Sequence, residues 1–454
     1  MKRLLAPLTL LILLYACQPD DDNQQPETPA TSALTKSYSG DFLHDYFTLQ
    51  CDIVRTTPGY LPTIAARAYG YLGIAAYESV VYGIPGAQSL AGQVGGIDSG
   101  SLPKPVSGEI YNWALVCNSA SAAMMRHMFG GNLTDENRAR IDMRELDNLA
   151  NLGYNVSPEI QDRSVAYGVA LAEALYQIST TDGGHESYLD PWQSPFTWVE
   201  ADYCWIPTGA QDLPLSPKWQ YNRSFLSDIA ARTQPGAHIP FSSDPTSDFF
   251  AEAMDVYNQV NNNVEEEITI AKYWADDPFT TCTPAGHTFN ILKQLLSESS
   301  ATLEKSAVAM AMMGVAENDA FISCWKSKYD YMLIRPVSYI KLYIDSEFET
   351  VIGTPPFPAY TSGHSTEIGA GTKIMAHLFA NNSSGDYTFT DLSQMQYGFQ
   401  ARTFDNFYTM AEECALSRYY AGIHYTMDNA VGLDMGYAVG EAVLNEINWP
   451  QNIE

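Results

Sequence analysis

Over most of the chain, apolar residues recur at intervals of three and four, the spacing of a helix that buries one face. The helical reading begins at about Asp41. Residues 61–81 are rich in Ala and Tyr at that spacing, and residues 106–129 repeat it. Residues 158–180 open on Ser157-Pro158-Glu159, a capping residue followed by proline at the first helical position. The period returns at residues 249–261 and 268–274, and it is longest at residues 303–328. The Met stripe of that last stretch reads as core packing, because Met fills irregular gaps. Residues 363–378 and 392–416 complete the set. The expected fold class is therefore all-α. Residues 83–104 are a Gly- and Ser-dense loop. The polar stretch 185–244, with many Pro, Gly and Trp, is expected to wrap between two helical halves, residues 41–245 and 246–454.

The first residues depart from this pattern. Lys2 and Arg3 precede an apolar run from Leu4 to Leu14 that ends Leu14-Tyr15-Ala16-Cys17. This reads as an export signal over residues 1–16, with cleavage before Cys17 and lipid attachment to it; a plain secretory signal is the alternative. The run is too short to span a bilayer. Residues 17–40 begin polar, acidic and Pro-rich, the composition of a tether that cannot build a core. The expected location is outside the cytoplasm, lipid-anchored to a bacterial membrane and facing the periplasm or cell surface, with no other membrane contact.

Composition narrows the partners. The chain has 454 residues, enough for two or three domains by length alone. With 24 Lys+Arg against 53 Asp+Glu the net charge is -29, which makes nucleic acid and anionic lipid surfaces poor partners. Cys51, Cys117, Cys204, Cys282, Cys324 and Cys414 fit no zinc spacing and read as structural thiols or bridges whose pairing the sequence leaves open.

Against that acidic background, three clusters in the last third gather positive charge. They are Lys328 to Arg335-Pro336, then Ser362-Gly363-His364, then Ser417-Arg418 to His424 and Asp428. Cations, a hydroxyl, a glycine amide and two imidazoles are what a tetrahedral oxyanion requires: guanidinium forks bind its oxygens, and a Gly lets backbone N–H groups approach. Lys328 and Arg335 lie on nearly one helix face, about 10 Å apart along the axis. Pro336 places Arg335 at a helix end. Ser362 reads as an N-cap with His364 in the first turn, beside the helix terminus that favours anions. Arg418 and His424 face different sides of an unbroken helix, so a break near Gly422 is expected. Asp428, four residues beyond His424, can accept from its second ring nitrogen and fix the tautomer. His287, in Thr283-Pro284-Ala285-Gly286, reads as a loop histidine used for packing or capping.

The order and internal spacing of the clusters, Lys-x6-Arg-Pro, Ser-Gly-His and Ser-Arg-x5-His-x3-Asp, resemble the signature shared by vanadium-dependent haloperoxidases and the type 2 phosphatidic acid phosphatase superfamily. Thr361 stands where the usual residue is Pro. The run from Pro355 to His364, with Trp325, resembles the chloroperoxidase branch. The resemblance implies two four-helix bundles and a vanadate cofactor bonded to the protein through His424. Lys328, Arg335, Arg418, Ser362 and the Gly363 amide would hold the vanadate oxygens. His364 would be the acid/base, and Lys328 would polarise hydrogen peroxide by its charge. Trp325 and Phe357 would line the halide side, and Asp277, in Tyr273-Trp-Ala-Asp-Asp-Pro278, would pair with Arg418. Hydrogen peroxide and a halide would be the substrates, iodide by similarity to bacterial lipid-anchored members, with small organic molecules as further halogen acceptors.

The same residues serve phosphate. In that reading His424 attacks phosphorus to form a phosphohistidine and His364 protonates the leaving alcohol. The clusters alone do not separate the two chemistries, because vanadate is a phosphate analogue. Trp325, the Phe357 loop, the Tyr273–Asp277 segment and the long helical amino-terminal half favour the peroxidase. A binding protein without turnover is a third reading, and the presence of both histidines argues against it.

Overall fold

The helical period of the sequence folds into fourteen α-helices and one short hairpin in the computed structural model, which describes residues 31–451 and 453. The leader, Cys17 and the first part of the expected tether lie outside the described residues. Farther on, Thr35 is buried and its hydroxyl donates to the Val80 carbonyl (3.1 Å), so residues counted as tether pack onto helix.

The amino-terminal helices are α1 (Asp41–Thr56), α2 (Pro62–Val80), α3 (Trp113–Phe129), α4 (Asp135–Leu152) and α5 (Pro158–Ser179). Every residue of α2 after Pro62 is buried, as expected of a helix that is apolar all round. The helix expected from residue 106 starts later, at Trp113, where the Asn112 side chain accepts from Leu115 N (3.1 Å). Helix α4 carries charge on most faces and buries only Asn137, Ile141 and Asn148, so its weak apolar period gave little to read. The polar stretch that follows holds single turns and the short α6 (Ile229–Arg232), and it is pinned by the fully buried Trp205 and Trp219.

The second half contains α7 (Asp248–Asn262), α8 (Glu265–Tyr273), α9 (Thr283–Glu298), α10 (Leu303–Tyr331), α11 (Pro336–Tyr343), α12 (Gly363–Phe379), α13 (Phe407–Tyr420) and α14 (Thr426–Glu446). Two expectations are corrected here. Residues 392–406 form no α-helix, only a single 3-10 turn at Met395–Tyr397: β1 (Asp386–Asp391) and β2 (Arg402–Asn406) pair antiparallel, burying Phe389 against Phe404. His287 is not in a loop, because α9 begins at Thr283 with Pro284 in its first turn and buries the histidine.

Two close helix pairs organise the core. Helix α10 lies along α2, and a methyl group added at Gly73 would stand 2.4 Å from the Met310 carbonyl oxygen. Helix α12 lies along α14, and a methyl at Gly436 would meet the Thr366 carbonyl oxygen at 2.1 Å. Small residues therefore set both separations. Among the described residues all six cysteines are buried free thiols, and no helix is long and apolar enough to cross a membrane.

Candidate active site

Lys328 occupies the last turn of α10, which ends where Met332 adopts a left-handed conformation (φ 50°). Arg335 is the extended residue before α11 (φ -74°, ψ 150°), as the following Pro336 requires. Ser362 caps α12 through Ser365 N (3.4 Å), and its own N–H donates to the Asp428 carbonyl on α14 (3.0 Å). Helix α13 delivers Arg418 and stops; the chain turns at Gly422 (φ 79°), the break the spacing demanded, and brings back His424 just before α14. Residues from five helix ends thus converge, and Lys328, Arg335, Ser362, Gly363, Arg418, His424 and Asp428 are all buried.

The partners of the three cations are main-chain carbonyls and one imidazole. Lys328 Nζ donates to the carbonyls of Pro358 (2.8 Å), Ala359 (3.0 Å) and Thr361 (2.5 Å). Arg335 donates from Nε to the Phe357 carbonyl (2.7 Å) and from Nη1 to the Ile423 carbonyl (2.8 Å) and His424 Nε2 (2.9 Å). Arg418 Nη1 donates to the Trp274 carbonyl. The Phe357 ring lies 4.9 Å from both Lys328 Nζ and the Arg335 guanidinium carbon, and 5.1 Å from the Trp325 ring. The indole of Trp325 is fixed by donation to the Leu215 carbonyl (3.1 Å).

The tautomer of His424 follows from its bonds. Nδ1–H donates to Asp428 Oδ2 (2.8 Å), so Nε2 presents a lone pair, which here receives Arg335 Nη1. Burial, and next the charges of Arg335 and Lys328, hold the His424 pKa well below 6.5, so the ring is neutral. His364 is neutral for the same reasons: burial first, then Arg418. The backbone of Ala275 hydrogen-bonds its ring, and only a carbonyl acceptor raises a histidine's pKa as this contact does. Burial also pushes Lys328 and Arg335 down; for Lys328 the charge of Arg335 adds to this, and those of Cys324 and Asp428 oppose it.

Three buried nitrogens at this place have no hydrogen-bond partner: Arg335 Nη2, Arg418 Nε and His364 Nε2. Unpaired buried guanidinium donors are costly, so Arg335 and Arg418 are complete only with an anion, while His364 Nε2 presents a lone pair. A methyl group added at Gly363 would fill the cradle beside Trp325 (3.7 Å) and Lys328 Cε (4.0 Å). Trp325, Phe357, Gly363, His364, Ile423 and His424 line a small inner chamber. His364 and Phe357 also line an outer, mostly apolar vestibule of about 450 Å³ with Trp192, Leu215, Phe279 and several prolines.

One expected residue sits elsewhere. Asp277 is exposed on the vestibule wall and makes no ion pair with Arg418 among the described residues. Its charge still influences the guanidinium, behind burial and the charges of Cys414 and Asp276. The buried carboxylate is its neighbour Asp276, which turns away from Arg418 to His287 (Oδ2 to Nδ1, 2.9 Å). The reading of residue types also missed the carbonyls of Phe357, Pro358, Ala359, Thr361, Trp274 and Ile423, which any residue supplies and no motif marks.

Residues 308–350 and 341–451 match the family model described as the VCPO second helical-bundle domain. A solved structure titled as the first bacterial vanadium-dependent iodoperoxidase is similar over 91% of this chain and 97% of its own, at 28% identity and a TM-score of 0.81. A holo-type bacterial vanadium-dependent chloroperoxidase is similar in fold over 87% of this chain and 94% of its own, at 13% identity and a TM-score of 0.61. A search of curated protein sequences finds no match.

Proposed function

We infer that the chain belongs to the vanadium-dependent haloperoxidases and that its site is built for vanadate. The observation that carries this is the buried set of three cations, two of them guanidiniums with an unpaired nitrogen, around the lone pair of a neutral His424. His424 Nε2 is the atom that would bond to the metal, and Arg335 Nη1 would move from that lone pair to an oxygen. Lys328, Arg335, Arg418, Ser362 and the Gly363 amide would hold the remaining oxygens, with two guanidiniums able to bind bidentately. Vanadate, when bound, supplies Lewis-acid activation of hydrogen peroxide for two-electron oxidation of a halide. His364 takes and returns the proton: the ring is neutral, one nitrogen is anchored by Ala275, and Nε2 is free. The ammonium of Lys328 offsets negative charge as it develops.

Iodide is the halide this reading assigns. The support is the closer likeness to the iodoperoxidase structure, 28% identity against 13% for the chloroperoxidase. Phe357 and Trp325 face the chamber and supply a polarizable wall for a large, weakly hydrated halide. Export and lipidation at Cys17 remain part of the proposal, and mass determination of the mature amino terminus checks them. The catalytic test is halide oxidation by purified protein with peroxide, with and without added vanadate. Vanadate-dependent turnover of iodide, far faster than that of bromide or chloride, is expected. Turnover indifferent to vanadate, or phosphate-ester hydrolysis in its place, refutes the assignment.

A further inference from the structure

We propose that His287 is a positioning residue for this site: clamped between Asp276 and Asp391, it fixes the segment 273–276 whose backbone holds Arg418 and His364. The proposal rests on the anion-site reading above. Two consecutive residues carry the connection. The Trp274 carbonyl accepts from Arg418 Nη1, and the Ala275 backbone hydrogen-bonds His364. A shift of this segment would move a cation and the proton carrier together.

What holds the segment is not its own helix, since α8 ends at Tyr273 and Asp276 takes a left-handed conformation (φ 49°). Each neighbour of Ala275 is instead tied to one imidazole. Asp276 Oδ2 accepts from His287 Nδ1 (2.9 Å), and Asp276 Oδ1 accepts from Gln394 Nε2 (2.8 Å). The Trp274 ring stacks on the His287 ring, centroids 4.6 Å apart and planes 25° from parallel. Tyr273 Oη donates to Asp391 Oδ2 (2.6 Å), the same oxygen that takes His287 Nε2 (3.0 Å). Both ring nitrogens lie against carboxylates, the arrangement that favours an imidazolium; the Gln394 amide also sits 2.7 Å from Nδ1, and all three members of the clamp are buried. Burial opposes that charge; the two carboxylates override it and raise the pKa to about 10. The clamp comes from α9 and the end of β1, elements that contribute no ligand.

The test measures binding of inorganic phosphate to the metal-free, full-length protein by calorimetry, in the parent, H287Q, D391N, R418A and the two doubles with R418A. Loss of an orienting partner of this kind costs about 10–100-fold in affinity. H287Q and D391N should each weaken phosphate by that much in the parent. In the R418A background the loss should shrink, since the guanidinium being held is gone; general destabilisation would instead add independently, to within about twofold. D391N keeps the side-chain shape and reads the same clamp if H287Q does not fold. Binding by both single variants within about twofold of the parent, or an undiminished loss beside R418A, overturns the inference. If R418A weakens phosphate while the clamp variants do not, only the positioning role falls. If R418A itself binds phosphate normally, the anion site falls and takes the inference with it.

Discussion

Exchanging Asp428 for Asn separates what orients His424, the proposed metal ligand, from what folds the helix that carries it. The carboxylate does two things. Its Oδ2 accepts from His424 Nδ1 (2.8 Å), and the same oxygen accepts from Tyr425 N (3.1 Å) at the start of α14. Asn keeps the shape and one acceptor oxygen, so the cap is retained; its complete loss would cost about 1 kcal/mol. What Asn lacks is charge. Burial already drives the Asp428 pKa up to about 7, with Lys328 and Arg335 opposing, so ionising this carboxylate in the folded protein carries a cost. That cost is the reason to expect a chemical role, because a neutral amide would cap the helix equally well.

The ionised carboxylate makes the Nδ1–H tautomer of His424 the favoured one and raises the basicity of Nε2. Losing such a partner weakens metal-ligand affinity by about 10–100-fold, or about 1.4–2.8 kcal/mol. In D428N the vanadate dissociation constant, measured by calorimetry, should rise by that factor while the urea midpoint of the apo protein stays near the parent's. Inorganic phosphate, held by the cations without a bond to His424, should lose less. Vanadate binding within about twofold of the parent would refute the reasoning, since it would mean His424 needs no orienting carboxylate.

Other expectations follow from the same contacts. Gly436→Ala puts a methyl 2.1 Å from the Thr366 carbonyl oxygen, so α12 and α14 must part; the overpacking should cost about 1–3 kcal/mol in urea unfolding and weaken phosphate binding as well. His287 has its pKa raised from 6.5 to about 10, so its contribution to stability is complete below pH 6.5 and fades as pH rises through 10; denaturation at several pH values should show that alkaline loss in the parent and a flatter profile in H287Q. With a net charge of -29, the protein repels iodide at long range, so kcat/KM for iodide should rise with ionic strength while that for neutral peroxide stays level; a fall for iodide would contradict the steering argument.

The clusters were legible because each is local. Lys328 and Arg335 flank one helix end, Ser362 caps the helix that carries His364, and His424 and Asp428 are one turn apart, all relations fixed by helical geometry and by Pro336. The Gly422 break was legible for the same reason, since six residues of unbroken helix would have kept Arg418 and His424 apart. Long-range features were not. Tyr387, Phe389 and Phe404 suit a strand as well as a helix, and only their pairing across the hairpin decides. Thr283-Pro284-Ala285-Gly286 looks like a loop until Pro284 is seen in the first turn of a buried helix. Asp276 and Asp277 are adjacent acids, and the sequence gives no sign that the inner one serves His287 and the outer one faces the vestibule.

How an acidic chain makes an anion receptor is answered by the choice of partners inside it. Had carboxylates neutralised Lys328, Arg335 and Arg418, an incoming oxyanion would have to break ion pairs and leave buried acids unpaired, at several kcal/mol each. Carbonyl dipoles hold the same cations without cancelling their charge, as the loop from Phe357 to Thr361 does for two of them. The guanidiniums keep unpaired nitrogens and the cage keeps a net positive charge. Asp428, the carboxylate hydrogen-bonded to His424, spends its contacts on that ring and Tyr425 rather than on a cation. Surface acids and buried cations therefore act at different ranges: solvent and salt screen the first within about 8–10 Å, and the dry interior leaves the second to decide what binds.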